Sequence, residues 1–578
     1  HYPASAEALF IGPQRAALLS MILKMVAPQG STVLLSSSLD SLYSPLIESM
    51  NMRFIRGNDD LFELLMLDQL FQPTLCVLSP CQLNDASPLL LETLVNRAKA
   101  NPTCWYLIDD SNNFEIGSKI QSNHLLRLPG MGQLPPNLIF VYGLVKNVVC
   151  PDFELSFLIN APEQWLRGLE VAAELTYSRI SYIVQLYYEW LFDELLSFPF
   201  AEPDRSLVGL VRAGAVAELT SEFAGIAADP VFAPKPIDAE GDQVIRLDYG
   251  EFEYPVPDLL VKGLIKGFLE TRSEGLPDAI CSRIAGYLAK TRHADIAPDC
   301  IVPAEGVFPL FGALIAALTE RRGRRLLVAV PRGTYGPIFA CLAYHGAEVV
   351  LLDSDEAGAF VVSAAQLEHL QRPPDLLWLT QPANPSGIFI EPDHVRKIVR
   401  YCAEKEIYIF ADEIFFLLSD LALGSWTPAD LSFAYGLSPE QRQYLFLADG
   451  LRKSFAAGGL RCGFLVCPDR QLARSVSSFV TPPPQPVLRA WDNLYSAFQE
   501  KSPHNLLNVE KELLEVELYL NGARRQLSEQ RDRLLALLER HQLADGLKYA
   551  RRGGLFVLAK MAAQAKALAV EQQVLINS

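Results

Sequence analysis

The sequence predicts an α/β protein: two copies of one mostly parallel sheet with flanking helices. Three observations predict it. Apolar, strand-like runs alternate with helical patterns, the signature of a parallel sheet. Residues 137–159 (NLIFVYGLVKNVVCPDFELSFLI) recur as residues 444–466 (YLFLADGLRKSFAAGGLRCGFLV), and a repeat of this kind points to duplicated architecture. The length, 578 residues, exceeds what one ordinary core organises.

Taken in order, Arg15–Met25 reads as an apolar helix, Ser31–Ser36 as a buried strand, Leu42–Met50 as a helix and Leu75–Leu78 as a strand. Pro88–Ala100 is amphipathic and helical, and Cys104–Ile108 and Leu138–Tyr142 are strands. Gln164–Leu196 is a long helical stretch rich in Tyr, Trp and Leu, whose aromatics suit a core. Residues 201–242 are rich in Ala, Pro, Asp and Glu and form the expected linker, with a short helix at Leu207–Phe223. The second copy follows, with strands at Leu376–Thr380, Ile407–Ala411, Tyr444–Leu447 and Phe464–Cys467. Helices are expected at Phe308–Leu318, Val487–Phe498 and Leu506–Leu538. Aligning the copies sets Tyr43 against Tyr335, Asn84 against Asn384, Asp109 against Asp412, Lys146 against Lys453 and Glu154 against Arg461. The first copy is expected to lack the region ahead of its first helix.

Composition narrows the function. Net charge is −17, which argues against nucleic acid or an anionic membrane as partner. No apolar run approaches the roughly 18 residues that span a bilayer, and no signal peptide opens the chain. Ten cysteines, none in a C-x-x-C pair, argue against a disulfide framework and against a zinc site and suit a cytoplasmic protein with reduced thiols. The eight histidines are scattered, so no metal site is expected.

The chemistry gathers at the ends of the second copy's strands, where open α/β sheets bind ligands. Lys453 follows a buried strand, and burial makes an amine nucleophilic by disfavouring its charged form. Eight residues on, Arg461 stands among Gly458, Gly459 and Gly463, a setting that can hold a phosphate. Asp412 ends another strand, where a carboxylate can pair with a protonated pyridine nitrogen. Asn384 lies in the sharp turn Asn384-Pro385-Ser386-Gly387. Together these are the equipment for pyridoxal phosphate.

The Asn-Pro-Ser-Gly turn, Asp412-Glu413-Ile414-Phe415, and Lys453 with Arg461 resemble the fold-type-I pyridoxal-phosphate enzymes of the class I/II aminotransferase group, over residues 243–578. The resemblance implies a tandem of fold-type-I aminotransferase-like modules. A degenerate module spans residues 1–200, a large cofactor domain 243–500 and a small C-terminal domain 501–578. It implies that Lys453 is the Schiff-base lysine, that Asp412 faces the pyridine nitrogen, that Asn384 bonds the ring hydroxyl and that Arg461 contacts the phosphate. Tyr335 is implied to stack on the ring, and the backbone of Gly306 and Val307 to bind the phosphate at a helix N-terminus. Members are generally dimers, so a homo-oligomer is implied, and two fused copies have the makings of an intramolecular pseudo-dimer.

Three departures limit the implied activity. Phe415 stands where the family has a tyrosine, Gly450 where it has a serine, and no arginine follows Arg552 to take a substrate carboxylate after the strand-like Gly553-Gly554-Leu555-Phe556. In the first copy Glu154 replaces the phosphate arginine, and a negative charge there repels phosphate. No cofactor is expected in that copy.

A closer resemblance rests on residues 143–159, 186–198 (LYYEWLFDELLSF) and 447–466. It is to the C-terminal part of the methionine S-methyltransferase family. There a methyltransferase domain uses S-adenosylmethionine to make S-methylmethionine from methionine. The resemblance implies such a domain before His1 and an amino acid, methionine or a relative, as small-molecule partner. A free-standing aminotransferase and a non-catalytic assembly or regulatory module are the alternatives.

Overall fold

The computed structural model describes residues 9–12, 15–26, 30–50, 52–58, 60–79, 88–109, 134–143, 155–175, 180–181, 184–185, 187–189, 245–246, 254–270, 275–353, 361–419, 429–499, 506–542, 544–546, 560–561 and 574–575. The chain divides into two compact units, residues 1–215 and 216–578.

The first unit runs β1 (Leu9–Gly12), α1 (Arg15–Val26), β2 (Thr32–Ser36), α2 (Asp40–Ser49), β3 (Arg53–Gly57), α3 (Leu61–Phe71), β4 (Leu75–Leu78), α4 (Pro88–Ala100), β5 (Trp105–Asp109), β6 (Leu138–Gly143), β7 (Ser156–Ile159) and α5 (Glu163–Leu175). Its strands form one sheet in the order β3-β2-β4-β5-β6-β7-β1. Strand β7 is antiparallel to both neighbours and every other pair is parallel.

The second unit contains α6 (Asp258–Leu269), α7 (Leu276–Arg292), β8 (Ile301–Ala304), α8 (Val307–Arg322), β9 (Leu327–Pro331), α9 (Pro337–Tyr344), β10 (Glu348–Leu352), β11 (Leu376–Thr380), α10 (Pro392–Glu404), β12 (Tyr408–Asp412) and β13 (Leu445–Gly450). It continues with α11 (Leu451–Ser454), β14 (Gly463–Val466), α12 (Arg470–Ser477), α13 (Gln485–Tyr495) and the 35-residue α14 (Leu506–Arg540). Its sheet order is β10-β9-β11-β12-β13-β14-β8, with β14 alone antiparallel to its neighbours.

The two sheets therefore share strand order, sense and register. Pairing Val33 with Leu75, Leu75 with Trp105, Tyr106 with Leu138 and Gly143 with Ser156 has its counterpart in Val328–Leu376, Leu376–Tyr408, Ile409–Leu445 and Gly450–Gly463. That register sets Asp109 on Asp412 and Gly143 on Gly450. Tandem α/β modules are thus a property of the fold. One expectation is corrected. Strand β1, paired along β7, stands ahead of the first helix. Four residues, LFIG, bounded by positions without apolar periodicity are too short a signal to read as a strand.

Burial explains why these segments adopt these forms. Every residue of β11 and β12 is buried, as continuous apolar runs in a parallel sheet covered on both faces must be. Trp378 on β11 stacks on Phe410 of β12 at 4.6 Å between ring centroids, and Phe311 of α8 meets Trp378 edge-on at 4.4 Å. Each such buried aromatic contributes on the order of 2–3 kcal/mol. Helix α10 buries Val395, Ile398, Val399 and Cys402, one stripe at helical spacing. Of the expected helix Gln164–Leu196, Glu163–Leu175 is helical, and most of the remainder and all of Leu207–Phe223 lie outside the described residues.

Candidate functional site

The parallel strands of the second sheet all end at one edge. Tyr335 follows the end of β9, Asn384 follows β11, Asp412 is the last residue of β12, and Lys453 lies on α11 directly after β13. Strand β14 runs the other way, so Arg461, two residues before it, is at the same edge. Strand β8 ends at Ala304, and Gly306 and Val307 open α8 beyond it. The fold thus brings all seven sequence-predicted residues to the carboxyl edge of one sheet.

Two glycines set how closely the backbones approach. A Cβ on Gly463 would lie 2.6 Å from the carbonyl carbon of Gly306 and 2.7 Å from the amide nitrogen of Val307. Only a residue without a side chain lets the start of α8 sit against the strand that Arg461 precedes. Gly450 is equally confined, since a Cβ there would lie 2.3 Å from the carbonyl oxygen of Cys462. No backbone position that close tolerates a serine without rearrangement.

Asp412 is buried, and its Oδ1 accepts from the backbone N–H of Ile414 at 3.2 Å. Burial pushes its carboxyl up to about 7, helped by the charges of Asp449 and Glu413 and opposed by Ile414 N–H and Lys453. Half-buried Lys453 holds Nζ 5.8 Å from the centroid of the Phe415 ring, within cation–π range. Phe415, 3% exposed, is thus an apolar wall facing the amine. The Asn384 turn is clamped from behind by Gln381, fully buried. Its Nε2 donates to the carbonyls of Ile390 (2.9 Å) and Leu431 (3.1 Å), and its Oε1 accepts from Ile390 N–H at 3.0 Å. The bonds Gln381–Pro382 and Asn384–Pro385 are cis. Tyr335 is half-buried with its ring 5.9 Å from that of Phe308. Arg461 is 8% exposed and sits at φ 49°, in the left-handed region. Cys462 beside it is buried, and burial pushes its thiol well up, which makes it an inert packing residue.

Sequence reasoning missed a second layer. Arg292, the last residue of α7, is fully buried. Its Nε donates to Glu413 Oε2 at 2.8 Å and its Nη2 to Asp449 Oδ2 at 2.5 Å. Tyr287 donates its hydroxyl to the same Asp449 oxygen at 2.8 Å. Ser432 and the backbone N–H of Phe433 complete the bonds to Glu413. Burial raises the carboxyl pKa of both Glu413 and Asp449, with Arg292 opposing it. The signal available in the sequence was two extra acids, Glu413 and Asp449, at the ends of strands too apolar to leave them solvated.

In the first unit, Tyr43 on α2 donates its hydroxyl to Asp109 Oδ2 at 3.0 Å, both residues buried. Burial, and then the Asp109 charge, push the phenol far above its ordinary range. Lys146, Asn84 and Glu154, and Gly553–Phe556 with Arg552, lie outside the described residues.

Comparison with known proteins places these features in a family. Residues 244–578 match aminotransferase class I and II. The chain is 25% identical over 437 residues to a methionine S-methyltransferase of Zea mays, covering 73% of this chain and 39% of that protein. It is 28% identical over 264 residues to an aspartate aminotransferase of Streptomyces avermitilis, covering 44% of this chain and 61% of that one. Among solved structures, an aminotransferase from Mycobacterium tuberculosis aligns with TM-score 0.44 and 20% identity over 59% of this chain and 81% of its own. The chain thus spans well under half the length of its methionine S-methyltransferase relative, and through residues 244–578, more than half of its own length, it belongs to the class I and II aminotransferases.

Proposed function

We propose that the second module, residues 243–578, binds pyridoxal phosphate, and that the chain is the aminotransferase-like part of a methionine S-methyltransferase-like protein. The observation that carries the cofactor reading is the meeting of Lys453, Asp412, Asn384, Tyr335 and Arg461 with the Gly306–Val307 backbone at one sheet edge. Membership of the class I and II aminotransferases supports it. The residues present fit the cofactor. Asp412 is a buried acid whose Oδ1 accepts from the Ile414 N–H and whose carboxyl burial pushes up to about 7, suited to a pyridine nitrogen. The close approach at Gly463 sets the first amide of α8 beside the strand that Arg461 precedes, a geometry that favours an anion.

When bound, pyridoxal phosphate serves as an electron sink for an amino acid's α-carbon. The chain's own residues do the rest. Lys453 anchors the cofactor through its amine and then holds and moves the substrate's α-proton. Asp412 would stay ionised against the ring nitrogen, Asn384 would donate to the ring oxygen, Tyr335 would cover the ring, and Arg461 with the Val307 N–H would hold the phosphate. Phe415 offers no hydroxyl to the ring oxygen, so Asn384 bears that task, and Phe415 instead excludes water from the amine.

The relatives named methionine S-methyltransferase support the wider reading. In it, a domain ahead of this region transfers a methyl group from S-adenosylmethionine to methionine, giving S-methylmethionine in the cytoplasm, and the protein assembles as a homo-oligomer. Among the described residues no helix is long and apolar enough to cross a membrane. The modules are proposed to divide at 1–200, 201–242, 243–500 and 501–578. A second reading, a free-standing aminotransferase, draws on the likeness to the Streptomyces enzyme.

One spectroscopic experiment tests these readings. The purified chain with added pyridoxal phosphate is expected to develop a visible absorption band that Lys453→Ala abolishes. A colourless wild-type protein overturns the cofactor reading. Bleaching of the band by an added amino acid favours the free-standing aminotransferase, and its persistence favours the methionine S-methyltransferase-like assembly.

A further inference from the structure

The first unit holds a cluster that the cofactor reading leaves unused. Asp68 on α3, Cys76 on β4 and Cys104, one residue before β5, are each at most 1% exposed. Cys76 Sγ lies 3.8 Å from Asp68 Oδ1, Cys104 Sγ lies 3.9 Å from the same oxygen, and the two sulfurs are 3.7 Å apart. Three donor atoms therefore form a nearly equilateral triangle. The centre of such a triangle is about 2.2 Å from each corner, and zinc bonds sulfur at about 2.3 Å and carboxylate oxygen at about 2.0–2.2 Å. A tetrahedral zinc with those bond lengths has donor–donor edges of roughly 3.5–3.8 Å. The cluster is close to one face of that tetrahedron before any ion enters.

The surroundings complete the argument. Asp68 Oδ2 accepts from Arg97 Nε at 2.7 Å and from the Tyr106 hydroxyl at 3.0 Å. These bonds fix the carboxylate so that its other oxygen faces the sulfurs, as outer partners of metal ligands do. Arg97 balances Asp68, and exchanging two thiol protons for a divalent cation leaves the net charge of the buried cluster unchanged. A small cavity lined by Leu34, Leu64, Leu94, Asp68, Cys76 and Tyr106 lies beside Asp68 and Cys76. Without an ion the two thiols donate to the same Asp68 oxygen, and the spacing they keep is the one a metal ion would need.

We propose that Asp68, Cys76 and Cys104 form a binding site for a thiophilic divalent cation of zinc's size. The ligands come from a helix, a strand and the residue ahead of a second strand, so no local cysteine spacing announces them. Reduced full-length chain equilibrated with Co2+ should show thiolate-to-cobalt charge-transfer absorption and tetrahedral d–d bands, saturating at one ion per chain. Binding should release about two protons, one from each thiol, and zinc should bleach the bands. Cys76→Ser and Cys104→Ser should each lose them, while Cys402→Ser, at a buried thiol of the other unit, should keep them. Absence of the charge-transfer band in the wild type, or its persistence in both serine variants, overturns the site. Should a serine variant not fold, the wild type decides: zinc must raise its unfolding temperature relative to chelator-treated protein, and no shift overturns the proposal.

Discussion

Asp412 is a carboxyl group whose ionisation the fold opposes until something cationic reaches it. Burial pushes its pKa up to about 7, and the charges of Asp449 and Glu413 add to the effect. A raised carboxyl binds its proton more tightly folded than unfolded, so stability falls as pH rises from about 4, the unfolded value, through the folded pKa. Glu413 and Asp449 are shifted in the same direction and contribute the same sign. The cofactor-free chain is therefore expected to lose stability between about pH 4 and pH 7, by at most a few kcal/mol. Asp412→Asn should flatten that slope and be the more stable protein at pH 8. Urea unfolding across this range checks it, and superimposable profiles for wild type and variant would refute the electrostatic account. Gly450 is a second residue whose meaning is spatial. In sequence it is a missing serine; in the fold it is the only side chain size that clears the carbonyl of Cys462.

At the scale of elements, the ends of β12 and β13 carry candidate site residues, Asp412 and, just beyond, Lys453, together with a buried ionic brace. Arg292 ties both strand ends to α7 through Glu413 and Asp449. Removing the cation leaves two buried carboxylates without a countercharge, so Arg292→Met is expected to destabilise the second unit by about 3–5 kcal/mol. The triple variant with Glu413→Gln and Asp449→Asn should recover part of that loss. Denaturant midpoints measure both, and a single-variant cost below about 1 kcal/mol would show that the brace is dispensable. The same elements show what was legible in the sequence. Strand β11 and helix α4 carry the expected bounds, because one is a short buried apolar run and the other has a clear stripe. Strand β3, RFIRG, was not read, since an edge strand with two exposed arginines has no apolar alternation. Helix α3, LFELLMLDQLF, is apolar on every side and so shows no period. The candidate site was legible because its residues lie within a few positions of strand ends. The brace was not, because Arg292 is 121 and 157 residues from its partners.

At the scale of the whole chain, one sheet plan occurs twice with one register, and among the described residues the copies differ at Asp109 and Asp412. Asp109 occupies the place of Asp412, yet its oxygen is taken by the Tyr43 hydroxyl, whereas Asp412 Oδ1 accepts from the Ile414 N–H. A cofactor that binds through the second edge stabilises directly the unit that forms it. Each unit has its own buried core, so thermal unfolding is expected to proceed in two transitions. Pyridoxal phosphate at a hundred times its dissociation constant should stabilise the second unit by about 2.7 kcal/mol and leave the first unchanged. That moves one calorimetric transition up by a few degrees for a unit of this size. Lys453→Ala should remove most of the shift, and Lys146→Ala should leave it intact, which assigns the moving transition to the second unit. A ligand-induced shift sensitive to Lys146 and not to Lys453 would mean that the first sheet edge holds the cofactor and that the Tyr43–Asp109 bond does not close it.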